Sequence, residues 1–163
     1  MNIKLREVVQ AEAALGRLFE CNPKKAKDTY RVARLKRELT PILKDYEEAR
    51  QQLLEQYAVK SEDDPNRWQF VKVDEDGDII LEYDEGDKDR ENGKPVMDME
   101  AFNAFTTDLD ELIDSEEVQV ESFITLAQID NLGFDPAMTP NEMAMLWWLV
   151  KELREDTEIK DED

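Results

Sequence analysis

Apolar residues recur every three or four positions along the first third of the chain, which is the spacing of a helix that buries one face. Over residues 2–20 this pattern predicts a first helix, whose apolar stripe consists of Leu5, Val8, Val9, Leu15, Leu18 and Phe19. A turn is expected at Cys21-Asn22-Pro23, because asparagine suits a helix end and proline suits the first turn of the next helix.

A second, longer helix is predicted over residues 24–58. Pro41 lies inside it, but the apolar pattern keeps its phase across the proline, so we expect one kinked helix rather than two helices with Thr40 as N-cap. Paired with the first helix, it would form an antiparallel hairpin. Its apolar positions form a heptad seam: Val32, Leu35, Leu39, Ile42, Tyr46, Ala49 and Leu53.

The middle of the chain changes to short runs of alternating character. Residues 68–73 and 78–83 are typical of strands, and the turn Asp74-Glu75-Asp76-Gly77 between them predicts a β-hairpin. Three further elements are expected after the hairpin: a helix capped by Asp98 and ending near Ile113, a strand near 117–124, and a helical turn at 126–132.

The C-terminal region opens with a capping box, Thr139-Pro140-Asn141-Glu142, which predicts the start of a helix. Eight apolar residues follow without interruption, Met143 to Val150. Because this stretch is apolar on every helical face, it suits either the centre of a core or a groove on a partner. Trp147 and Trp148 are therefore candidate partner-binding residues, with burial against the second helix as the alternative.

These elements predict a mainly helical α+β protein. A long N-terminal α-hairpin would pack with a C-terminal helix, and a small acidic β-hairpin region would lie between them. The expected organisation is a helical hairpin (1–58), an acidic linker with the β-hairpin (59–97), a helix, short strand and C-terminal helix packed on the hairpin (98–154), and an acidic tail (155–163).

Charge is spread very unevenly along the 163 residues. Residues 1–58 carry twelve Lys/Arg and nine Asp/Glu, whereas residues 59–163 carry nine Lys/Arg and thirty-two Asp/Glu. The net charge of −20 favours solubility, and no apolar run is long enough for a transmembrane helix. The lone cysteine, Cys21, can form no internal disulfide, so we expect a cytoplasmic protein. Because no long apolar run is present, we expect no membrane association.

The residues that enzymes use most are scarce. The absence of histidine excludes imidazole-based catalysis and histidine metal sites, and neither the three serines nor the five glycines lie in a catalytic or phosphate-binding motif. Cys21 has no neighbouring base other than Lys24 and Lys25 and is interpreted as a small apolar residue. We expect a protein that is not an enzyme and needs no cofactor.

Two acidic segments have some likeness to calcium-binding loops. In the first, the glycine position falls on Gly77, which puts Lys72 at the first ligand position, where a cation is incompatible with calcium. In the second, which starts at Asp87, Asn92 replaces the glycine. Solvated turns are the expected structure, and no metal site is predicted, although weak cation binding stays open.

A basic stretch lies at the start of the second helix. It consists of Lys24, Lys25, Lys27, Arg31, Arg34, Lys36 and Arg37. Such a stretch can contact a phosphate backbone. Tyr30 is the one aromatic residue interleaved with it, however, and the acidic half of the chain would repel a polyanion. A solvated helix face is therefore expected, and direct nucleic-acid binding is not.

The acidic half of the chain has a more specific functional interpretation. Dense carboxylates on a rigid surface can imitate the charge spacing of DNA and occupy a nucleic-acid-binding cleft on another protein; the alternative is that they only keep the chain soluble. The acidic candidates for partner binding are Asp74, Glu75, Asp76, Asp78, Asp84, Glu85 and Asp87.

Several segments of the chain resemble small uncharacterised proteins of tailed phages and prophages. These segments are the opening helix, residues 26–35, residues 43–50 with the following Leu53-Leu54, and the pair Thr139-Pro140. The resemblance covers the first 58 residues and about the last 25. It implies a helical hairpin, a C-terminal helix and a phage context, and thus the cytoplasm of a host cell. It brings no catalytic residues.

The expected function is protein–protein interaction. In the preferred hypothesis, the protein modulates or inhibits a host or defence factor through its acidic surface and its tryptophans. In the alternative, it is a virion or assembly accessory protein that oligomerises through the helical hairpin.

Overall fold

The computed structural model describes residues 1–61, 64, 66–83 and 93–158. The helices are α1 (Leu5–Gln10), α2 (Glu12–Glu20), α3 (Ala26–Tyr57), α4 (Met99–Ser115), α5 (Leu126–Ile129), α6 (Pro140–Met145) and α7 (Lys151–Glu158). The strands are β1 (Asn2–Lys4), β2 (Val59–Lys60), β3 (Trp68–Gln69), β4 (Leu81–Glu82), β5 (Lys94–Pro95) and β6 (Glu117–Gln119). The predicted class, a mainly helical α+β protein, is confirmed.

The chain divides into two compact units. The terminal unit comprises Met1–Tyr46 and the chain from Ile113 onward, and the middle unit comprises Glu47–Leu112. The boundaries between the units lie inside α3 and inside α4. The long helices thus contribute to both units, which a change in composition along the chain does not reveal.

The core of the terminal unit is built on the first half of the predicted seam. Val32, Leu35 and Leu39 of α3 are at most 6% exposed. They belong to one apolar cluster with residues of α2 and of the C-terminal region, including Leu15, Leu18, Leu132, Leu146, Trp148 and Leu149. Burial of these side chains supplies the main stabilisation of this unit.

The first predicted helix, residues 2–20, is wrong in its first three residues and at its centre. Asn2–Lys4 form β1, which pairs antiparallel with β6, with Ile3 opposite Val118. Ala11 separates α1 from α2. Ile3 is 3% exposed, so pairing with a strand more than a hundred residues away buries it. Helical periodicity alone contains no information on that distant partner.

Helix α3 is continuous across Pro41, as the phase of the seam predicts. Pro41 and Arg37, whose carbonyl group loses its usual helical hydrogen-bond donor, are both exposed. Water can therefore satisfy that carbonyl group, and the helix is not forced to end.

The single C-terminal helix predicted from Thr139 to residue 154 is wrong, because the apolar run interrupts it. The capping box forms as expected, but α6 ends at Met145 and α7 begins at Lys151. Between them the backbone joins residue 124: the N–H of Ile124 donates to the Leu149 carbonyl at 3.0 Å, and the N–H of Lys151 donates to the Ile124 carbonyl at 2.9 Å. This pairing takes the chain out of helical geometry.

Three strand segments of the middle unit meet in a closed ring of hydrogen bonds. The N–H of Lys72 donates to the carbonyl of Val96, the N–H of Val96 to that of Ile80, and the N–H of Ile80 to that of Lys72, each at 2.9 Å. The predicted hairpin is present, with Val73 opposite Ile79, but residues 94–97 also pair with its strands, which the sequence did not predict.

The second half of α3 packs against α4 within the middle unit. The Tyr57 hydroxyl donates to a carboxylate oxygen of Asp108 at 2.6 Å. Phe70 lies between the rings of Phe102 and Phe105, at centroid distances of 5.3 and 5.1 Å. These contacts give the unit a small aromatic cluster of its own.

Candidate protein-binding surface

The acidic turn of the hairpin is ordered by its own first residue. One carboxylate oxygen of Asp74 accepts the N–H groups of Asp76 and Asp78, both at 3.0 Å. Gly77 adopts a φ of +89°, a conformation that an L side chain disfavours. As a result, the side chains of Glu75 and Asp76 lie on the surface and make no hydrogen bond within the described residues.

All four acidic residues predicted in this turn are exposed: Asp74, Glu75, Asp76 and Asp78. The other three predicted acids, Asp84, Glu85 and Asp87, lie outside the described residues. The middle unit has seven Lys/Arg and twenty-one Asp/Glu in its sequence, so its net charge is strongly negative.

Apolar side chains lie directly beside these acids. A cleft of about 620 Å³ is lined by Asp74, Asp78, Ile79, Ile80, Leu81, Tyr83 and Pro95; we call it the acidic cleft. Ile80 is 40% exposed and Tyr83 is 41% exposed. An apolar centre with charged residues at its edge is the arrangement found at protein interfaces.

The exposure of Ile80 follows from the alternation of side chains along a strand. Ile79 and Leu81 are half-buried, whereas Ile80 and Glu82 on the opposite face are exposed. Three successive apolar residues in a strand with one covered face must leave one of them in solvent. The sequence Ile79-Ile80-Leu81 contained this signal, but Ile80 and Tyr83 were not among the predicted contact residues.

A second cleft, of about 490 Å³, continues the apolar surface. Ile80 lines both clefts, and Val73 lines the second one together with Tyr57, Asp98 and Glu100. The hydrogen bond to Asp108 raises the pKa of Tyr57 above its usual value, so that side chain stays neutral here. Of the ten large apolar residues exposed in the described part of the chain, six belong to the middle unit: Val73, Ile80, Tyr83, Met97, Met99 and Phe102.

The two predicted tryptophan contacts are not on this surface. Trp148 is 1% exposed and lies in the core of the terminal unit, so its side chain is not available to a partner in this structure. Trp147 is half-buried and packs against the same core. Burial in the core was the alternative that the sequence left open for this stretch, and the tryptophans belong to the terminal unit, whereas the acidic turn belongs to the middle unit.

No group of three or more His, Cys, Asp or Glu side chains is arranged to hold a metal ion among the residues that the structure describes. In the acidic turn, the Asp74 carboxylate is occupied by backbone N–H groups. Within the same ranges, no helix is long and apolar enough to cross a bilayer.

Comparison of the chain with protein-family models, with curated proteins and with solved structures yields no match in any of the three.

Proposed function

We propose that the protein is a non-enzymatic, protein-binding module, and that its middle unit binds a basic surface of another protein. The observation that supports this most strongly is the acidic cleft, where exposed Ile80 and Tyr83 lie beside exposed carboxylates. Burial of the apolar residues would supply affinity, and the carboxylates would supply orientation and a fast, salt-sensitive association.

The class of partner follows from the charge of the middle unit. A unit this negative favours partners with basic clefts, and clefts that bind nucleic acid are basic. In the phage context suggested by the sequence resemblance, the partner would be a nucleic-acid-handling host or defence factor in the cytoplasm. Occupation of its cleft would inhibit or modulate it.

The structure gives less support to the assembly alternative. Oligomerisation through the hairpin would need the seam of α3 at the surface, but Val32, Leu35 and Leu39 are buried in the terminal unit of the same chain. The apolar residues that are exposed lie mostly in the middle unit instead.

Affinity capture from bacterial lysate tests the proposal. The wild-type protein is compared with Ile80→Ser/Tyr83→Ser, which removes the apolar centre, and with Glu75→Gln/Asp76→Asn, which removes two charges but leaves the Asp74 hydrogen bonds in place. Glu12→Gln/Glu20→Gln is the matched control, because it removes two exposed charges from the terminal unit.

We expect one stoichiometric protein that is captured by the wild type and the control, is weakened by both middle-unit changes, and is released as salt rises, because exposed charges are screened. Capture that is equal for all four proteins would contradict the proposal. Recovery of higher oligomers of the chain itself would favour the assembly alternative.

A further inference from the structure

The terminal unit presents a second surface of opposite character, on the N-terminal half of α3. Tyr30 is 63% exposed, the highest value of any large apolar or aromatic side chain in the described structure. Arg34 and Arg37 follow at four and seven residues, so all three lie on one helix face. With Arg31 and Phe123, these residues form what we call the basic strip.

Two adjoining clefts run along the basic strip. One, of about 550 Å³, is lined by Tyr30, Arg34, Arg37, Glu38, Gln119 and Glu121. The other, of about 170 Å³, is lined by Arg31, Arg34, Glu121, Ser122 and Phe123. Because Arg34 and Glu121 line both, an elongated ligand could contact Tyr30 at one end and Phe123 at the other.

Glu38 fixes the chain segment that carries Phe123 against α3. Its carboxylate accepts the N–H group of Glu121 and, at 3.2 Å, that of Ser122. Phe123 stays 44% exposed, and the ammonium nitrogen of Lys151 lies 6.0 Å from its ring centroid. The fold therefore adds an aromatic ring and a further cation to a helix whose sequence contained only Tyr30 as an interleaved aromatic.

The arginines of the strip have few partners among the described residues. Arg34 lies 3.8 Å from a carboxylate oxygen of Glu121, with both side chains more than half exposed, which is a weak pair. Arg31 and Arg37 make no ion pair within the described residues. Although the protein has forty-one acidic residues, these arginines are available to bind an anion of another molecule.

We propose that the basic strip binds single-stranded nucleic acid, with phosphates on Arg31, Arg34 and Arg37 and bases stacked on Tyr30 and Phe123. Arginines that lie between two exposed rings offer contacts for both the phosphates and the bases of a single strand, and base stacking tolerates any sequence. An acidic peptide offers anions but no flat base for either ring. Repulsion by carboxylates more than a Debye length away, about 8 Å at physiological salt, is largely screened.

Fluorescence anisotropy with a labelled oligothymidylate of about twelve nucleotides, within the range of known single-strand sites, tests this inference. With three phosphate contacts, log affinity should fall against log salt with a slope of about −2. Tyr30→Ala and Phe123→Ala should each weaken binding about tenfold, because the stacking of one base contributes about that much to the affinity. Both rings are exposed, so unchanged melting temperatures are expected and will show that the variants fold.

Comparisons with further variants and further ligands make the test more specific. Arg34→Gln should weaken binding, whereas Arg67→Gln, which removes an exposed cation from the middle unit, should not. An abasic oligonucleotide should bind more weakly than oligothymidylate, and thymidine monophosphate should compete only at high concentration if a strand is needed. Equal binding of oligoglutamate, unchanged binding by both ring variants, or no binding at low salt would overturn the proposal.

Discussion

One guanidinium nitrogen of Arg17 lies 2.6 and 2.7 Å from the two carboxylate oxygens of Glu142, and this ion pair joins α2 to α6. The same carboxylate accepts the backbone N–H of Thr139 at 2.7 Å and its hydroxyl at 2.9 Å. The hydrogen bond from the Thr139 backbone, followed by that from Arg17, lowers the pKa of Glu142 from 4.5 to about 2.

The Glu142 ion pair makes the free energy of unfolding depend on pH in the acidic range. Because the folded-state pKa is depressed, its contribution is complete above about pH 4.5 and is lost as the pH falls towards 2. The difference in free energy of unfolding between wild type and Glu142→Gln should therefore shrink over this window in urea titrations. Glu12→Gln, an exposed change on the helix that carries Arg17, is the control. A Glu142→Gln difference that does not vary with pH would contradict this.

Leu39 tests the core of the terminal unit. It is fully buried, so Leu39→Asp places a charge where neither water nor a partner compensates it, and the protein should fail to fold or melt far below the wild type. Thr40→Asp introduces the same charge one residue further along, at an exposed position, and should melt near the wild type. Similar melting temperatures for both variants would show that the seam is not buried.

Trp148 tests whether the apolar C-terminal run serves the core. Trp148→Ala should destabilise by about 3–5 kcal/mol, as other large-to-small core changes do. The indole nitrogen has no hydrogen-bond partner among the described residues, so Trp148→Phe loses little polar stabilisation and should cost much less. Equal, small effects in chemical denaturation would place the tryptophan at the surface.

Two glycine-to-alanine changes should have opposite signs. At Gly77 the positive φ disfavours any L side chain, so Gly77→Ala should cost about 1–2 kcal/mol although no atom crowds the new methyl group. At Gly16, inside α2 and with open space around it, alanine should stabilise by about 0.5–1 kcal/mol. Thermal unfolding of both variants checks the pair, and equal shifts would refute the turn conformation.

Local features of the sequence predicted local structure well. The capping box at Thr139 and the cap at Asp98, whose carboxylate accepts the N–H of Ala101 at 3.0 Å, depend only on residues three positions apart. The first half of the seam predicted the buried positions Val32, Leu35 and Leu39 of α3, whereas the positions of its second half are half-buried: Ile42, Tyr46, Ala49 and Leu53. In each case the information lies within a few turns of the chain.

Features that depend on distant partners were not predictable. Residues 2–4 form a strand because they pair with β6. The chain is not helical at residue 150 because residue 124 pairs with the backbone on either side of that residue. For the same reason, the sequence did not place Phe123 beside the arginines of α3. Composition identified the acidic surface, but only the strand geometry showed which apolar residues it contains.

Site-specific photo-crosslinking in living bacteria tests the central proposal most directly. p-Benzoylphenylalanine is placed at residue 80, in the acidic cleft, and in a separate variant at the exposed residue 13 of α2. We predict one prominent covalent adduct with another protein from position 80 and none of that mass from position 13. Adducts from position 13 alone, or no adduct from position 80, would contradict a binding surface on the middle unit.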